Sequence, residues 1–331
     1  MSSTGTTRQF WIRAPGCGEI RSAELAPPNG DQVLVRALYS GISRGTEALV
    51  FRGEVPASQH LAMRAPFQEG DFPGPVKYGY SSVGEVLEAP ERLRSLVGRA
   101  VFCLHPHQDR YVVPAGAVTV LPAGVPPERA VLAANMETAV NAMWDGAPSA
   151  GDRIVVIGAG VIGLLTAWLC RQLPGARVTV VDPDPARAAA ARVLGLELVE
   201  RTPGGADADL VVHASGSAEG LAAALAVARV EATVLELSWY GSRVVPLPLG
   251  EDFHARRITL KSSQVGRIPP LRAPRWSHAR RLALALELLG DPALDALISG
   301  ESGFDELPEV MPRLARDGRG VLCHRIRYAT P

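Results

Sequence analysis

Residues 152–173 read DRIVVIGAGVIGLLTAWLCRQL, and the fold turns on them. IVVI is a short apolar run of the kind that forms a strand buried on both faces. Gly158, Gly160 and Gly163 follow directly in the spacing GxGxxG, and the apolar stretch after them has the length of a helix. Each glycine answers a separate steric demand: a tight turn at Gly158, close approach of a ligand to the backbone at Gly160, and close packing of helix on strand at Gly163. The helix opening with Val161 and Ile162 offers free N–H groups and the positive end of its dipole, which suits a pyrophosphate.

Moving outward, VTVVD (178–182) supplies a second strand and ends in Asp182, 19 residues past Gly163. A carboxylate there accepts the hydroxyls of an adenosine ribose and repels a 2′-phosphate, so the reading is NAD, with NADP disfavoured. Arg187 could turn toward such a phosphate, but Pro-Asp-Pro before it and its helical position argue for a surface place. DLVVHASGS (209–217) and ATVLELSWYG (232–241) alternate with alanine-rich helical stretches, and ITLKSSQVG (258–266) closes a doubly wound sheet. Ligands lie beyond the carboxyl ends of such strands, which places Ala214, Ser215, Ser238 and residues 262–265 along the nicotinamide half of the groove. His213 points away by strand alternation and reads as a packed histidine.

The chain before this region is different. From Arg8 to about Pro122 it is a series of short alternating apolar runs separated by Gly, Pro and Asn-Gly, which predicts an all-β, barrel-like segment. The period turns helical from about Pro126, and the tail FDELPEVMPRLARDGRGVLCHRIRY reads as an amphipathic helix, a glycine stop and a final strand. The expected domains are 1–122, completed by 293–331, and 123–292. Inside the β segment YSGISRGTE (39–47) packs four hydroxyl side chains, an arginine and a glutamate at the end of a strand, either a solvated turn or a wall of a reaction site.

With 34 basic and 34 acidic residues the chain lacks the charge imbalance that nucleic acid or an anionic membrane would select, and a small-molecule substrate is the expected partner. The start has no apolar signal core and no stretch is long enough to span a bilayer, so the expectation is a cytoplasmic protein. Cys17, Cys103, Cys170 and Cys323 form no CxxC pair and read as buried thiols. Lysine occurs only as Lys77 and Lys261.

Barrel, dinucleotide unit and return strand in this order resemble the medium-chain dehydrogenase/reductase superfamily over essentially the whole chain. The resemblance is carried by DQVLVRALYSGISRGTE, KYGYSSVGEV, the glycine motif and the tail. It implies a GroES-like catalytic domain with a Rossmann NAD(P)-binding domain, and a possible homodimer. Within the superfamily the SGISRGTE loop is most similar to the group around bacteriochlorophyllide a dehydrogenase. Thr138 matches a cofactor-contacting threonine, and the wall reading of YSGISRGTE follows, with Ser43 and Thr46 as hydrogen-bonding groups and Glu47 orienting a partner. A structural Arg44–Glu47 pair is the competing view.

Zinc enzymes of the superfamily carry Cys, Gly-His-Glu and a third ligand where this chain has Ser43 or Arg44, Tyr80 with Ser81, and Ala134 or its neighbours. Hydroxyls and an alanine do not supply thiolate and imidazole donors, so no metal is expected, an unrecognised site of His105, His107 and Glu47 being the alternative. Without a Lewis acid, hydroxyl oxidation needs a side-chain proton carrier. Tyr80 is one candidate, with Lys77 three residues earlier able to lower its pKa; a core-edge tyrosine is the alternative. His105 of HPHQ (105–108) is a pocket residue by the resemblance and would titrate between pH 6 and 8; it and His107 otherwise read as surface-loop histidines. The leading function is zinc-independent hydride transfer between NAD(H) and a secondary alcohol or ketone on a fairly large substrate. An NADPH-dependent quinone or enone reductase and a catalytically silent nucleotide-binding protein are the alternatives.

Overall fold

A computed structural model describes residues 5–329 other than 203 and 206. The chain divides into two compact units. The first runs to Ala134 and takes back Leu286–Asp291 and the chain from Ile298; the second is Asn135–Ala285 with Pro292–Leu297. The division therefore falls about a dozen residues beyond the boundary expected at 122. Packing explains the shift: Tyr39 Oη donates to Glu128 Oε1 at 3.2 Å and Ser81 Oγ to the Val131 carbonyl at 2.5 Å, which ties 128–131 to the β segment.

The first unit holds two sheets. In the larger, strands run in the order Ile298–Gly303, Cys323–Arg327, Gln32–Ile42, Ser82–Glu88, Ala100–Cys103 and Val118–Val120, with Arg110–Pro114 also paired to Gln32–Ile42. Val33, Val35 and Ala37 of Gln32–Ile42 are all at most 2% exposed, with Gln32 and Arg36 half-buried on the other face. A second sheet is built on the hairpin Thr6–Ala14 and Cys17–Glu24. Cys17 opens the second strand of that hairpin and is exposed, against the expectation of a buried thiol; the other three cysteines are buried. The segment expected to be all β also contains a helix, Arg44–Phe51, whose Ala48, Leu49, Val50 and Phe51 are buried. One apolar run after the polar loop could be read as either element; its backbone is helical, with Glu47 to Phe51 all buried.

The second unit is a six-stranded parallel sheet in the order Glu197–Val199, Arg177–Val181, Arg153–Ile157, Ala208–His213, Ala228–Glu236, Thr259–Ser262. Ile154, Val155, Val156 and Ile157 are all buried, as a strand covered on both faces requires. Strand Arg153–Ile157 lies at the centre, with the order reversing beside it. This is the doubly wound α/β fold expected from the glycine motif, and together with the first unit it is the GroES-like plus Rossmann architecture.

Candidate active site

In the second unit the three glycines do the separate jobs their spacing implies. Gly158 has φ +107°, and a Cβ there would lie 2.7 Å from the backbone of Ala214 and Ser215. A Cβ on Gly163 would sit 1.9 Å from the Gly158 carbonyl oxygen. Gly160 has nothing within 4 Å of its Cβ position, which leaves the backbone open to a ligand just before the helix Val161–Cys170 begins. That helix carries Val161 and Ile162 in its first turn. The cradle fits the pyrophosphate of a nicotinamide dinucleotide.

Asp182 ends the strand next to this turn. Its Oδ2 accepts the Ala159 N–H at 2.7 Å and its Oδ1 the Asp184 N–H at 2.9 Å, so the carboxylate also shapes the glycine turn. Arg187 is not on the surface as expected: it is 4% exposed and its Nε lies 3.3 Å from Asp184 Oδ2. Pro185 and Ala186 of the short helical turn are exposed, while Arg187 turns inward, where Asp184 compensates its charge. Thr138 lies within the helix Ala133–Gly146 and is half-buried.

Ala214, Ser215 and Ser238 stand at the carboxyl ends of their strands. Ala214 N–H donates to the Ile157 carbonyl at 2.8 Å, and Gly216 N–H to Ser238 Oγ at 3.0 Å. His213 is fully buried, as read from the sequence, but its ring joins this edge. Its Nδ1 is 2.7 Å from Glu236 Oε2 and its Nε2 is 2.6 Å from Ser215 Oγ, while Tyr240 Oη donates to Glu236 at 3.1 Å. Both loops are thus held by one buried imidazole.

In the first unit Ser43 precedes the helix Arg44–Phe51, and its N–H donates to Glu47 Oε1 at 2.8 Å. Glu47 is 1% exposed, and its Oε2 meets His107 Nε2 at 2.9 Å. His107 Nδ1 is 2.7 Å from Ser40 Oγ, which in turn is 3.0 Å from Tyr328 Oη. A buried acid–imidazole pair is tolerated where its remaining atoms are hydrogen-bonded, and here every link has a partner. The Arg44–Glu47 pair of the competing view is not formed: Glu47 pairs with His107, and Arg44 lies against Gly318. His107, read as a surface histidine, is 1% exposed.

Tyr80 lies beside this chain. Burial is the main force on its phenol and pushes its pKa up to about 12; the Glu47 charge adds to the rise, while the Ser43 and Thr46 hydroxyls beside it pull the other way. Lys77 does not lower it. Its ammonium is buried and bonds Glu69 and Gln108 Oε1, the latter at 2.8 Å, and burial lowers its own pKa.

His105 is 4% exposed and stacks on Tyr111 with centroids 3.8 Å apart, with Phe67 on another side at 5.5 Å. Burial drives its pKa down to about 3, with the Pro106 carbonyl opposing and the charges of Lys77 and His107 assisting. The expected titration between pH 6 and 8 is therefore overturned: an imidazole in an aromatic stack stays neutral through that range. The structure gathers Ser43, Thr46, Glu47, Tyr80 and His107, while His105 lies in the aromatic stack with Tyr111 and Phe67. Ser40, His107 and Tyr328 were missed because their links span 60 to 288 residues. Of the two histidines of HPHQ, it is His107 that the structure links to Glu47.

Ser43, Tyr80 and Ala134, at the places of zinc ligands in the resembled enzymes, present two hydroxyls and a methyl group, which do not fit Zn²⁺. Among the described residues no group of three or more His, Cys, Asp or Glu could hold a metal. No helix among them is long and apolar enough to cross a membrane.

A family model described as FAD dependent oxidoreductase matches residues 153–200, the strand, glycine turn, helix and second strand with which both FAD- and NAD-binding sheets begin. The chain is 24% identical over 307 residues to D-guloside 3-dehydrogenase of Escherichia coli K12, covering 84% of this chain and 87% of that one. It is 30% identical over 201 residues to 2-desacetyl-2-hydroxyethyl bacteriochlorophyllide A dehydrogenase of Rhodobacter capsulatus, covering 54% and 56%. Among solved structures, a short chain alcohol dehydrogenase of E. coli CFT073 complexed with NADH superposes with a TM-score of 0.76 at 18% identity, over 98% of this chain and 100% of that one. Zinc-binding dehydrogenases stand among the other structural neighbours, one of them bound to NADP.

Proposed function

We propose that this chain, an NAD(P)-dependent oxidoreductase of the medium-chain dehydrogenase type, exchanges a hydride between NAD(H) and a secondary alcohol or ketone without a metal, with Tyr80 as its proton carrier. The bound nicotinamide supplies the hydride chemistry. Gly158, Gly160 and Gly163 hold the pyrophosphate, Asp182 the adenosine ribose, and Ser215 and Ser238 edge the other half of the dinucleotide. The observation that carries the reading is the environment of Tyr80, a phenol raised to about 12 beside two hydroxyls and the Glu47 carboxylate. At neutral pH Tyr80 Oη keeps its proton and can donate it to a substrate oxygen in the reducing direction. Ser43 and Thr46 then stabilise the phenolate left behind, and His107 holds the Glu47 charge in place.

NAD over NADP rests on Asp182, whose charge opposes a 2′-phosphate. The names of the relatives, a guloside and a hydroxyethyl bacteriochlorophyllide dehydrogenase, support a hydroxyl-bearing substrate larger than a simple alcohol.

Fluorescence titration should show a preference for NADH over NADPH of about 10²-fold, and turnover with a panel of ketones should survive dialysis against a chelator. Equal affinities would remove Asp182 from its role. One zinc per chain whose extraction abolishes turnover would overturn the metal-free reading, and dinucleotide binding with no turnover on any ketone would favour a silent nucleotide-binding protein.

A further inference from the structure

The 34 residues from Phe253 to Leu286 contain eight Lys and Arg and no Asp or Glu, in a chain whose charges balance 34 to 34 over its whole length. Four of the eight are paired with carboxylates from elsewhere in the second unit: Arg256 with Asp252, Arg257 with Glu231, Lys261 with Asp145 and Arg281 with Glu137. Arg267, Arg272, Arg275 and Arg280 have no carboxylate within 4.0 Å among the described residues. All four belong to one loop and the helix start that follows it.

The loop is held rather than loose. Arg281 is 1% exposed and reaches Glu137 Oε1 at 3.0 Å, Asn141 Oδ1 at 2.5 Å and the Val265 carbonyl at 2.5 Å, which fixes the entry to the loop. At its exit Trp276 packs on Trp144 with centroids 4.8 Å apart. The Arg280 guanidinium lies 4.1 Å from the Trp276 centroid and donates to the Arg275 carbonyl at 2.6 Å, and the Arg272 guanidinium lies 5.8 Å from the Trp144 centroid. Indole faces hold guanidinium groups by cation–π attraction without neutralising them. Arg272 and Arg280 are thus held on the two rings of one indole pair with their charges uncompensated, and the planar N–H fork of arginine matches a carboxylate or a phosphate.

The position of the loop says which anion it is not. It follows the strand Thr259–Ser262, at the carboxyl edge of the sheet and four strand steps from Arg177–Val181. At about 4.8 Å per step that is roughly 19 Å from the Asp182 end, too far for a 2′-phosphate of the same adenosine. Ligands of doubly wound sheets lie beyond this edge.

We infer that residues 264–280 form an oxyanion-binding surface of the second unit, in which Arg272 and Arg280 about the Trp144–Trp276 pair, with Arg267 and Arg275 of the same loop, bind a carboxylate or phosphate. The binding of the anion does not depend on the oxidoreductase reading above.

The test titrates citrate and inorganic pyrophosphate into the NAD⁺-loaded protein, so that the glycine turn is already filled, and follows tryptophan fluorescence and heat. Binding of at least one is expected, weakening with added salt, and the tighter of the two assigns carboxylate or phosphate. R272Q combined with R275Q should weaken it by about 10-fold or more. R257Q removes one charge at the opposite, amino edge of the same strand and should leave it unchanged. Absence of binding by either anion up to about 10 mM, or equal losses in the loop and control variants, would overturn the inference in favour of a solvated basic surface. If NADH itself fails to bind, the dinucleotide reading falls separately, and the same titration on the free protein still decides this one.

Discussion

Tyr80 and His105 were equal candidates as sequence, and their surroundings separate them. Both are desolvated, but burial acts in opposite directions on a phenol and an imidazole, because it penalises whichever form is charged. Tyr80 is thereby kept as an acid and His105 as a neutral ring. Tyr80→Phe keeps the ring that meets Tyr78 edge-on at 6.0 Å and deletes the proton, so steady-state turnover should drop by about 10²-fold with NADH affinity retained. His105 should show itself in stability instead. Its folded pKa of about 3 lies below the ordinary histidine value of 6.5, so between those limits the unfolded chain binds a proton that the native state does not. Stability should therefore fall as pH drops through 6.5 toward 3, by at most about 1.4 kcal/mol per pH unit from this group. Urea unfolding of His105→Asn should show a shallower acid loss than the parent, and an unchanged slope would mean that His105 is protonated in the fold.

The glycine turn was legible because its steric demands are local: strand, three glycines, helix and acid all lie within 31 residues, Asp152 to Asp182. Gly163→Ala tests the tightest of them. Its methyl would enter the space of the Gly158 carbonyl oxygen, so thermal melting should show a cost of about 1–3 kcal/mol, with NADH affinity reduced because helix and turn must part. An unchanged melt would mean the helix can slide without cost. The doubly wound sheet, the β-rich first region and the amphipathic tail were legible for the same reason, since periodicity is a property of neighbours. The helix Arg44–Phe51 was not, because RGTEALVF has too few turns to display a period. Still less legible were the links of Glu47 to His107 and of Ser40 to Tyr328, which depend on how distant strands register. His324 opposite Ile42 and Arg327 opposite Tyr39 fix that register, and no local pattern encodes it.

The two units are made of interleaved chain. The first is completed by Cys323–Arg327, which lies between Gln32–Ile42 on one side and Ile298–Gly303 on the other. Ile326 in that strand is fully buried. Ile326→Ala should cost about 2–5 kcal/mol, read by calorimetry or denaturant unfolding, and a loss below about 1 kcal/mol would show that the strand is a cover rather than a core element. Tyr328, just beyond it, brings the hydrogen-bonded chain of Glu47 to its end.

That placement sets an order of events during synthesis. The parallel sheet of the second unit closes with residues 259–262, and its chain is complete by Leu297. The larger sheet of the first unit, begun at Gln32, has an open edge until residue 323 has left the ribosome. Nearly three hundred residues of translation, at about 5–20 residues per second, separate the two halves of that pairing. The nucleotide-binding unit can therefore fold while the earlier-made strands still wait, and for that interval the Tyr39–Ile42 end of the strand, beyond its pairing with Arg110–Pro114, is an unpaired edge on the nascent chain that a chaperone could cover.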